Sequence, residues 1–202
     1  ALESAPESAL IHNNLGYIYL HLKKYDEAET ALLKATRINP DIIDPLYNLA
    51  ECYRQQNKLQ QGASCLQFAL KIIPDHLPSI ICLGRIHLSL KKYESAEELF
   101  RLALSAYEDD PEALHYLSRA QFALGQYSEA ENNLNKLLSL SESPEVYTNL
   151  GNVYMATGRF EIATDAYQNA IDLKSDSSGL YFNLGLSLHE QQRFDDAVEP
   201  LE

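Results

Sequence analysis

Four asparagines, Asn14, Asn48, Asn149 and Asn183, stand 34, 101 and 34 residues apart, and the middle interval is one residue short of three times 34. Two arginines, Arg85 and Arg119, are also separated by 34. A side-chain amide offers one acceptor and two donors, so it can pair with both the C=O and the N–H of an extended peptide backbone. Such pairing reads chain direction and register but not side-chain identity. Guanidinium groups bind carboxylates through paired N–H donors, and two of them on one wall of an acidic protein point to a carboxylate or an acidic side chain. This is the chemistry of binding rather than of reaction. No glycine-rich phosphate loop and no HExxH pair is present. The histidines His12, His21, His76, His87, His115 and His189 are scattered, with no metal-ligand spacing and none that couples a nucleophile to a base. The reading is therefore a non-enzyme with no cofactor and no metal.

The interval belongs to the whole chain. Leu15, Leu49, Leu83, Leu117, Leu150 and Leu184 lie 34, 34, 34, 33 and 34 residues apart. A period in this range marks a solenoid, in which each unit buries its apolar face only against its neighbours. With the leucine set as position 7, position 8 is small throughout (Gly16, Ala50, Gly84, Ser118, Gly151, Gly185). Position 20 is also small, and position 27 is alanine except at Leu137 and beyond the end of the sequence. Positions 17 and 24 are large and apolar, filling the holes beside the small residues. The domains follow: residues 1–8 as the tail of a preceding repeat, then repeats over 9–42, 43–76, 77–110, 111–143, 144–177 and 178–202.

Each repeat holds two helices. Polar or glycine breaks (Lys23-Lys24, Asn57-Lys58, Lys91-Lys92, Gly125-Gln126, Gly158-Arg159, Gln192-Arg193) divide two apolar-periodic runs. Pro40 and Pro74 close second helices. Asp44-Pro45, Asp110-Pro111 and Ser143-Pro144 each offer an N-cap followed by proline in the first turn. No stretch alternates with period two for long enough to propose a strand.

These recurrences resemble the tetratricopeptide-repeat family over essentially the whole chain. The family's aromatic at position 11 is kept in Tyr19, Tyr53 and Tyr154 and replaced by His87, Gln121 and Leu188. The resemblance implies an all-α, right-handed superhelical solenoid of antiparallel helix pairs, with the first helix of each repeat (helix A) lining the concave face. The outward positions of that helix are 2, 5, 6, 9, 12 and 13 by helical spacing. Asparagine in mid-helix costs about 0.6 kcal/mol against alanine, yet it recurs at position 6. The ladder is similar to the peptide-gripping asparagines in the repeat region of O-GlcNAc transferases; duplication of one ancestral residue that bonds only to a neighbouring helix is the competing account. The ladder breaks at Cys82 and Tyr116, where the groove should show Tyr47, Ile81, Cys82, Tyr116 and Phe122 together with Arg54, Arg85 and Arg119. An internal ion pair with Glu51 or Glu112 is the alternative for the arginines. The carboxylate clamp of the family's co-chaperone class requires Lys and Asn at positions 5 and 9 of its first repeat, where this chain has Asn13 and Tyr17. The candidate peptide-binding set is thus Asn14, Tyr47, Asn48, Arg54, Arg85, Tyr116, Arg119, Phe122, Asn149 and Asn183.

A net charge of −13 argues against a nucleic-acid backbone as partner. Three cysteines, Cys52, Cys65 and Cys82, share no ligand spacing, and a helical array needs no disulfides, so a reducing, cytoplasmic compartment is expected. No run of about 18 apolar residues spans a membrane. Both ends read as cut through a repeat, and Pro200 should weaken the last second helix. The leading function is a protein-interaction scaffold that binds a partner segment in its groove. The alternatives are the substrate-recruiting arm of a larger enzyme and a module that self-associates through uncapped ends.

Overall fold

The computed structural model describes residues 5–173 and 178–198, and every regular element among them is helical. In chain order these are α1 (Ala5–His21), α2 (Tyr25–Ile38), α3 (Asp44–Gln55), α4 (Leu59–Ile72), α5 (Leu77–Ser89), α6 (Tyr93–Ala106), α7 (Pro111–Ala123), α8 (Tyr127–Leu140), α9 (Pro144–Ala156), α10 (Phe160–Asp172), α11 (Ser178–Glu190) and α12 (Phe194–Val198). The odd-numbered helices are the A helices of the six repeats. The chain falls into two compact units, residues 1–103 and 104–202. In the first, α1 packs on α2, α2 on α3, α3 on α4 and α4 on α5, while α1, α3 and α5 also neighbour one another. In the second, α7 to α12 pack in succession and α7 neighbours α9.

The breaks between paired helices share one device. Lys23, Asn57, Lys91, Gly125, Gly158 and Gln192 all stand at repeat position 15, and all have φ between 57° and 74°. At the first break the Lys24 N–H bonds to the Tyr19 C=O at 2.9 Å and the Lys23 N–H to the Leu20 C=O at 3.0 Å. The same two bonds recur at the other five breaks. They satisfy carbonyls that the end of helix A leaves without an intrahelical donor, and they turn the chain back on itself. Only two of the six breaks use glycine, the residue best suited to this conformation.

The small and large positions interlock. A Cβ placed on Gly84 would lie 2.6 Å from the Phe100 ring, and one on Gly151 would lie 2.4 Å from the Tyr167 ring. The position-24 side chain therefore sits directly on position 8 of its own repeat. Around Leu32, Leu66, Leu134 and Tyr167 it is then wrapped by residues at two or three of positions 7, 11 and 23 of the next repeat. Leu32 clusters with Leu49, Tyr53 and Cys65, and Leu134 with Leu150, Tyr154 and Ala166. Leu66 clusters with Leu83 and Leu99, and Tyr167 with Leu184 and Leu188. Burial of each large residue thus requires two successive repeats, which is the physical basis of a solenoid.

Several local expectations are corrected. Residues 5–8, read from sequence as the end of a preceding second helix, continue α1 upstream; Pro6 falls in its first turn, where no intrahelical N–H is needed. Asp110 and Ser143 cap their helices, accepting from Ala113 N–H at 2.7 Å and Val146 N–H at 3.3 Å. Asp44 does not. Ile43 adopts αR dihedrals, so α3 begins one residue earlier than expected and Asp44 lies inside its first turn. There its charge faces the positive end of the helix dipole instead. Pro200 and Leu201 lie outside the described residues.

Candidate functional site

In the first unit the predicted groove residues are largely engaged with the protein itself. Asn13, not Asn14, is the buried member of its pair, and its side-chain carbonyl accepts from Asn48 Nδ2 at 2.9 Å. Asn14 is exposed. Asn48 therefore spends one donor on the preceding A helix. Tyr47 is half-buried and meets the His76 ring edge-on, with centroids 6.3 Å apart. Arg54 forks onto Glu51, with Nε to Oε2 at 2.8 Å and Nη2 to Oε1 at 2.5 Å. Gln55 adds a third bond to the same carboxylate at 3.2 Å. Burial alone would raise the Glu51 carboxyl, but the bonds from Arg54 and Gln55 and the charges of Arg54 and Arg85 outweigh it and hold the group below its ordinary value. Arg85 is half-buried within reach of this field.

Ile81 and Cys82, expected to face the groove, are buried at 5% and 1% exposure. Cys82 joins Ala50, Leu66 and Leu83 in the core, and its thiol lies 3.8 Å from Glu51. Burial and the neighbouring carboxylate push that thiol up to about 12. An apolar or sulfur side chain at position 6 gains more from core contact than from water, so this helix buries the position at which Asn14 is exposed and Asn48, Asn149 and Asn183 are half-buried.

The second unit presents an open surface. Arg119 is exposed, with its guanidinium carbon 5.6 Å from the centroid of the half-buried Tyr116 ring. A groove running over α7, α9 and α11 is lined by Arg119, Glu145, Thr148, Asn149, Phe182 and Asn183 among others. His115 shares it; burial first and the Arg119 charge second hold its imidazole below the ordinary value, favouring the neutral ring. A second recess adjoins through Asn183 and takes in Phe122, Asn152, Met155, Tyr167 and Leu186. Asn183 Nδ2 donates to Asn152 Oδ1 at 3.3 Å, and the same oxygen accepts from the Tyr167 hydroxyl at 2.9 Å. Five of the ten predicted residues, Tyr116, Arg119, Phe122, Asn149 and Asn183, thus belong to the A helices of this unit, and four of the five line its two recesses. Among the described residues, no group of His, Cys, Asp and Glu could hold a metal ion, and no helix is long and apolar enough to cross a membrane.

Models of the tetratricopeptide repeat match residues 9–42, 41–109 and 87–141, and a model described as TPR repeat matches 151–192. The chain is a tetratricopeptide-repeat protein. No curated protein matches its sequence significantly. Among solved structures it is similar to a tetratricopeptide repeat protein from Parabacteroides merdae, at 22% identity and TM-score 0.78, over 98% of this chain and 77% of that one. It is similar to PilF of Pseudomonas aeruginosa at 17% identity and TM-score 0.83, over 98% and 90% of the two chains. It is also similar to residues 41 to the end of MamA from Desulfovibrio magneticus RS-1, at 20% identity and TM-score 0.79, over 88% and 100%. At these identities the likeness is one of fold.

Sequence reasoning about this tetratricopeptide array missed Glu145, Thr148, Phe182 and Leu186 as groove residues. Thr148 and Phe182 stand at position 5 and Glu145 at position 2, both outward by helical spacing, so the signal was present. A contact between repeats was missed as well. The Tyr53 hydroxyl donates to Glu29 Oε1 at 2.9 Å and Lys58 Nζ to Oε2 at 3.2 Å, with the ammonium 5.6 Å from the Tyr53 ring centroid. Arg159 repeats this with Glu131 at 3.1 and 2.7 Å, and lies 4.6 Å from the centroid of the Tyr154 ring. Both sites join positions 11 and 16 of one repeat to position 21 of the repeat before it.

Proposed function

We propose that this tetratricopeptide-repeat chain is a non-catalytic interaction scaffold that holds an extended segment of a partner protein against α7, α9 and α11. One observation carries the reading: Arg119, Asn149 and Asn183, on three successive A helices, line one open groove beside the apolar Phe182. Arg119 meets a carboxylate of the partner, the amides of Asn149 and Asn183 pair with its backbone, and Phe182 and Phe122 receive apolar side chains. Arg85 belongs to the other unit and lies in the field of Glu51, so it is not assigned to this contact.

The test begins with a pull-down using the whole chain. Arg119→Ala should then weaken the captured partner by about 30-fold, because truncation of an arginine hot spot typically costs about 2 kcal/mol or more. Asn149→Ala should cost nearer 1 kcal/mol, about fivefold. Salt should weaken the wild-type complex and have less effect on the arginine variant. Changes at exposed second-helix residues such as Asn135 and Gln168 should leave binding intact. Loss of binding from those second-helix changes, with Arg119→Ala binding as tightly as wild type, overturns the groove reading.

A further inference from the structure

The two recesses of the second unit share one wall, and their placement along the helices constrains the segment that could fill both. Each spans α7, α9 and α11. The polar recess is lined by Arg119, Thr148 and Phe182, and the second by Phe122, Met155 and Leu186, while Asn183 lines both. On every one of the three helices the second recess therefore lies farther toward the C-terminal end. From Arg119 to Phe122, Thr148 to Met155 and Phe182 to Leu186 the steps are three, seven and four residues. At a rise of 1.5 Å per residue the recesses are offset by roughly 5–10 Å along the helix axes, about 7 Å on average. An extended chain returns its side chain to the same side every second residue, after about 6.7 Å. One extended segment that runs lengthwise along α9 thus fills both recesses with side chains two residues apart.

The two recesses differ in chemistry. Arg54, Arg101 and Arg159 each fork onto a glutamate. Among the described residues no carboxylate bonds to Arg119, which lies beside the Tyr116 ring; Glu145, in the same recess, is exposed and acts on His115 instead. The second recess, of about 370 Å³, is walled by exposed Phe122, Ala156 and Leu186 and half-buried Met155. Its Asn152 carbonyl is already taken by the Tyr167 hydroxyl and by one N–H of Asn183. Asn183 keeps its second N–H and its carbonyl on the wall between the recesses. A chain of net charge −13 repels a purely acidic segment at long range. Water released from the apolar walls supplies what the single arginine does not.

We propose that the partner segment carries an acidic residue and a large apolar residue separated by one residue, and that it lies lengthwise along α9. The acidic side chain meets Arg119, and the apolar one enters between Phe122, Met155 and Leu186. The backbone of the residue between them pairs with Asn183, whose amide is held in place by Asn152 and, through it, by Tyr167. This rests on the groove over α7, α9 and α11 as the binding surface, and it adds the two anchors, their spacing and the direction of the segment.

The probe is the peptide Gly-Ser-Asp-Ser-Phe-Ser-Asp-Ser-Gly with blocked ends, which presents the pattern in both chain directions. Titrated into the isotope-labelled whole chain and followed by amide NMR, it should bind saturably, with shifts confined to α7, α9 and α11. Serine in place of the phenylalanine should weaken binding about tenfold or more. Asparagine in place of both aspartates should weaken it about tenfold, and that loss should vanish in Arg119→Ala, which removes the same contact. Ala156→Trp fills the apolar recess from an exposed position near the end of α9. It should match the loss from the serine peptide and leave the dependence on aspartate intact. A peptide with the two aspartates moved next to the phenylalanine turns the anchors to opposite sides and should bind about tenfold more weakly. Absence of saturable binding at millimolar peptide overturns the proposal, as does an affinity indifferent to Ala156→Trp or equal for the two spacings. Binding that needs the aspartates and Arg119 but not the phenylalanine overturns the paired anchors and leaves the groove standing. A captured partner that ignores Arg119→Ala overturns the groove itself.

Discussion

Gly151→Ala tests the interlock of positions 8 and 24. The new methyl would stand 2.4 Å from Tyr167 Cε1, 2.7 Å from Cδ1 and 2.8 Å from Cζ, where carbon contacts normally lie at about 3.5–4.0 Å. Tyr167 cannot swing clear. Its ring is 1% exposed among Ala163, Leu184 and Leu188, and its hydroxyl is held by Asn152. Relief requires either a shift of α9 against α10 or loss of that hydrogen bond. Overpacking of this kind costs about 1–3 kcal/mol, and the lost bond about 1 kcal/mol more. The gain from replacing glycine inside a helix, roughly 0.5–1 kcal/mol, offsets part of this. A net loss of about 1–3 kcal/mol follows, or roughly 2–12 °C at the rate for a chain of this size. The chain itself suggests the rescue. The two aromatics at position 24, Phe100 and Tyr167, face glycines, whereas Ala50 and Ser118 share their repeats with Leu66 and Leu134. Gly151→Ala should therefore cost much less in a Tyr167→Leu background, with a favourable coupling of about 1 kcal/mol or more. Solenoids need not unfold in one step, so urea denaturation should be read together with hydrogen exchange in α9 to α11. Additive single and double mutants, or a Gly151→Ala variant as stable as wild type, would refute the interlock.

Two further outcomes follow from the local geometry. Lys91 holds φ at 58° at its break, so Lys91→Gly should raise the urea midpoint by a stabilisation of about 0.5–1 kcal/mol; a lowered midpoint would contradict the role given to position 15. Glu51 has a carboxyl lowered in the folded state, so its contribution is fully present above the unfolded carboxylate range, near pH 4.3, and is lost as pH falls through the lower folded value. The acid limb of the stability curve should be shallower in Glu51→Gln than in wild type, and identical limbs would show that the Arg54 fork adds nothing to folding.

The repeat, the helix pairs and the break points were legible because each depends on residues that recur at one interval. Leu15 to Leu184 mark position 7 six times, and Lys23 to Gln192 mark position 15 six times. What the sequence concealed is a matter of a few ångströms. Asn13 and Asn14 are both asparagine on one helix, and about 100° of helical rotation decides which is buried against Asn48. Arg54 was read as a groove residue because position 12 points outward. Its long side chain instead reaches back one turn to Glu51, a pairing that helical spacing permits without requiring it.

By itself, then, the sequence determined the period, the small and large faces, and the A helices that bear the amides. These follow from burial, which acts on every repeat alike and so leaves a periodic trace. Only the tertiary structure decided which polar groups are satisfied internally and which face open surface. Glu51 takes up Arg54, and Asn13 takes up Asn48. Arg119 and Asn149 line a groove. A hydrogen bond forms or fails within about 3 Å, set by the relative rotation of neighbouring helices. That rotation depends on the exact shapes packed between them, and it leaves no periodic mark along the chain.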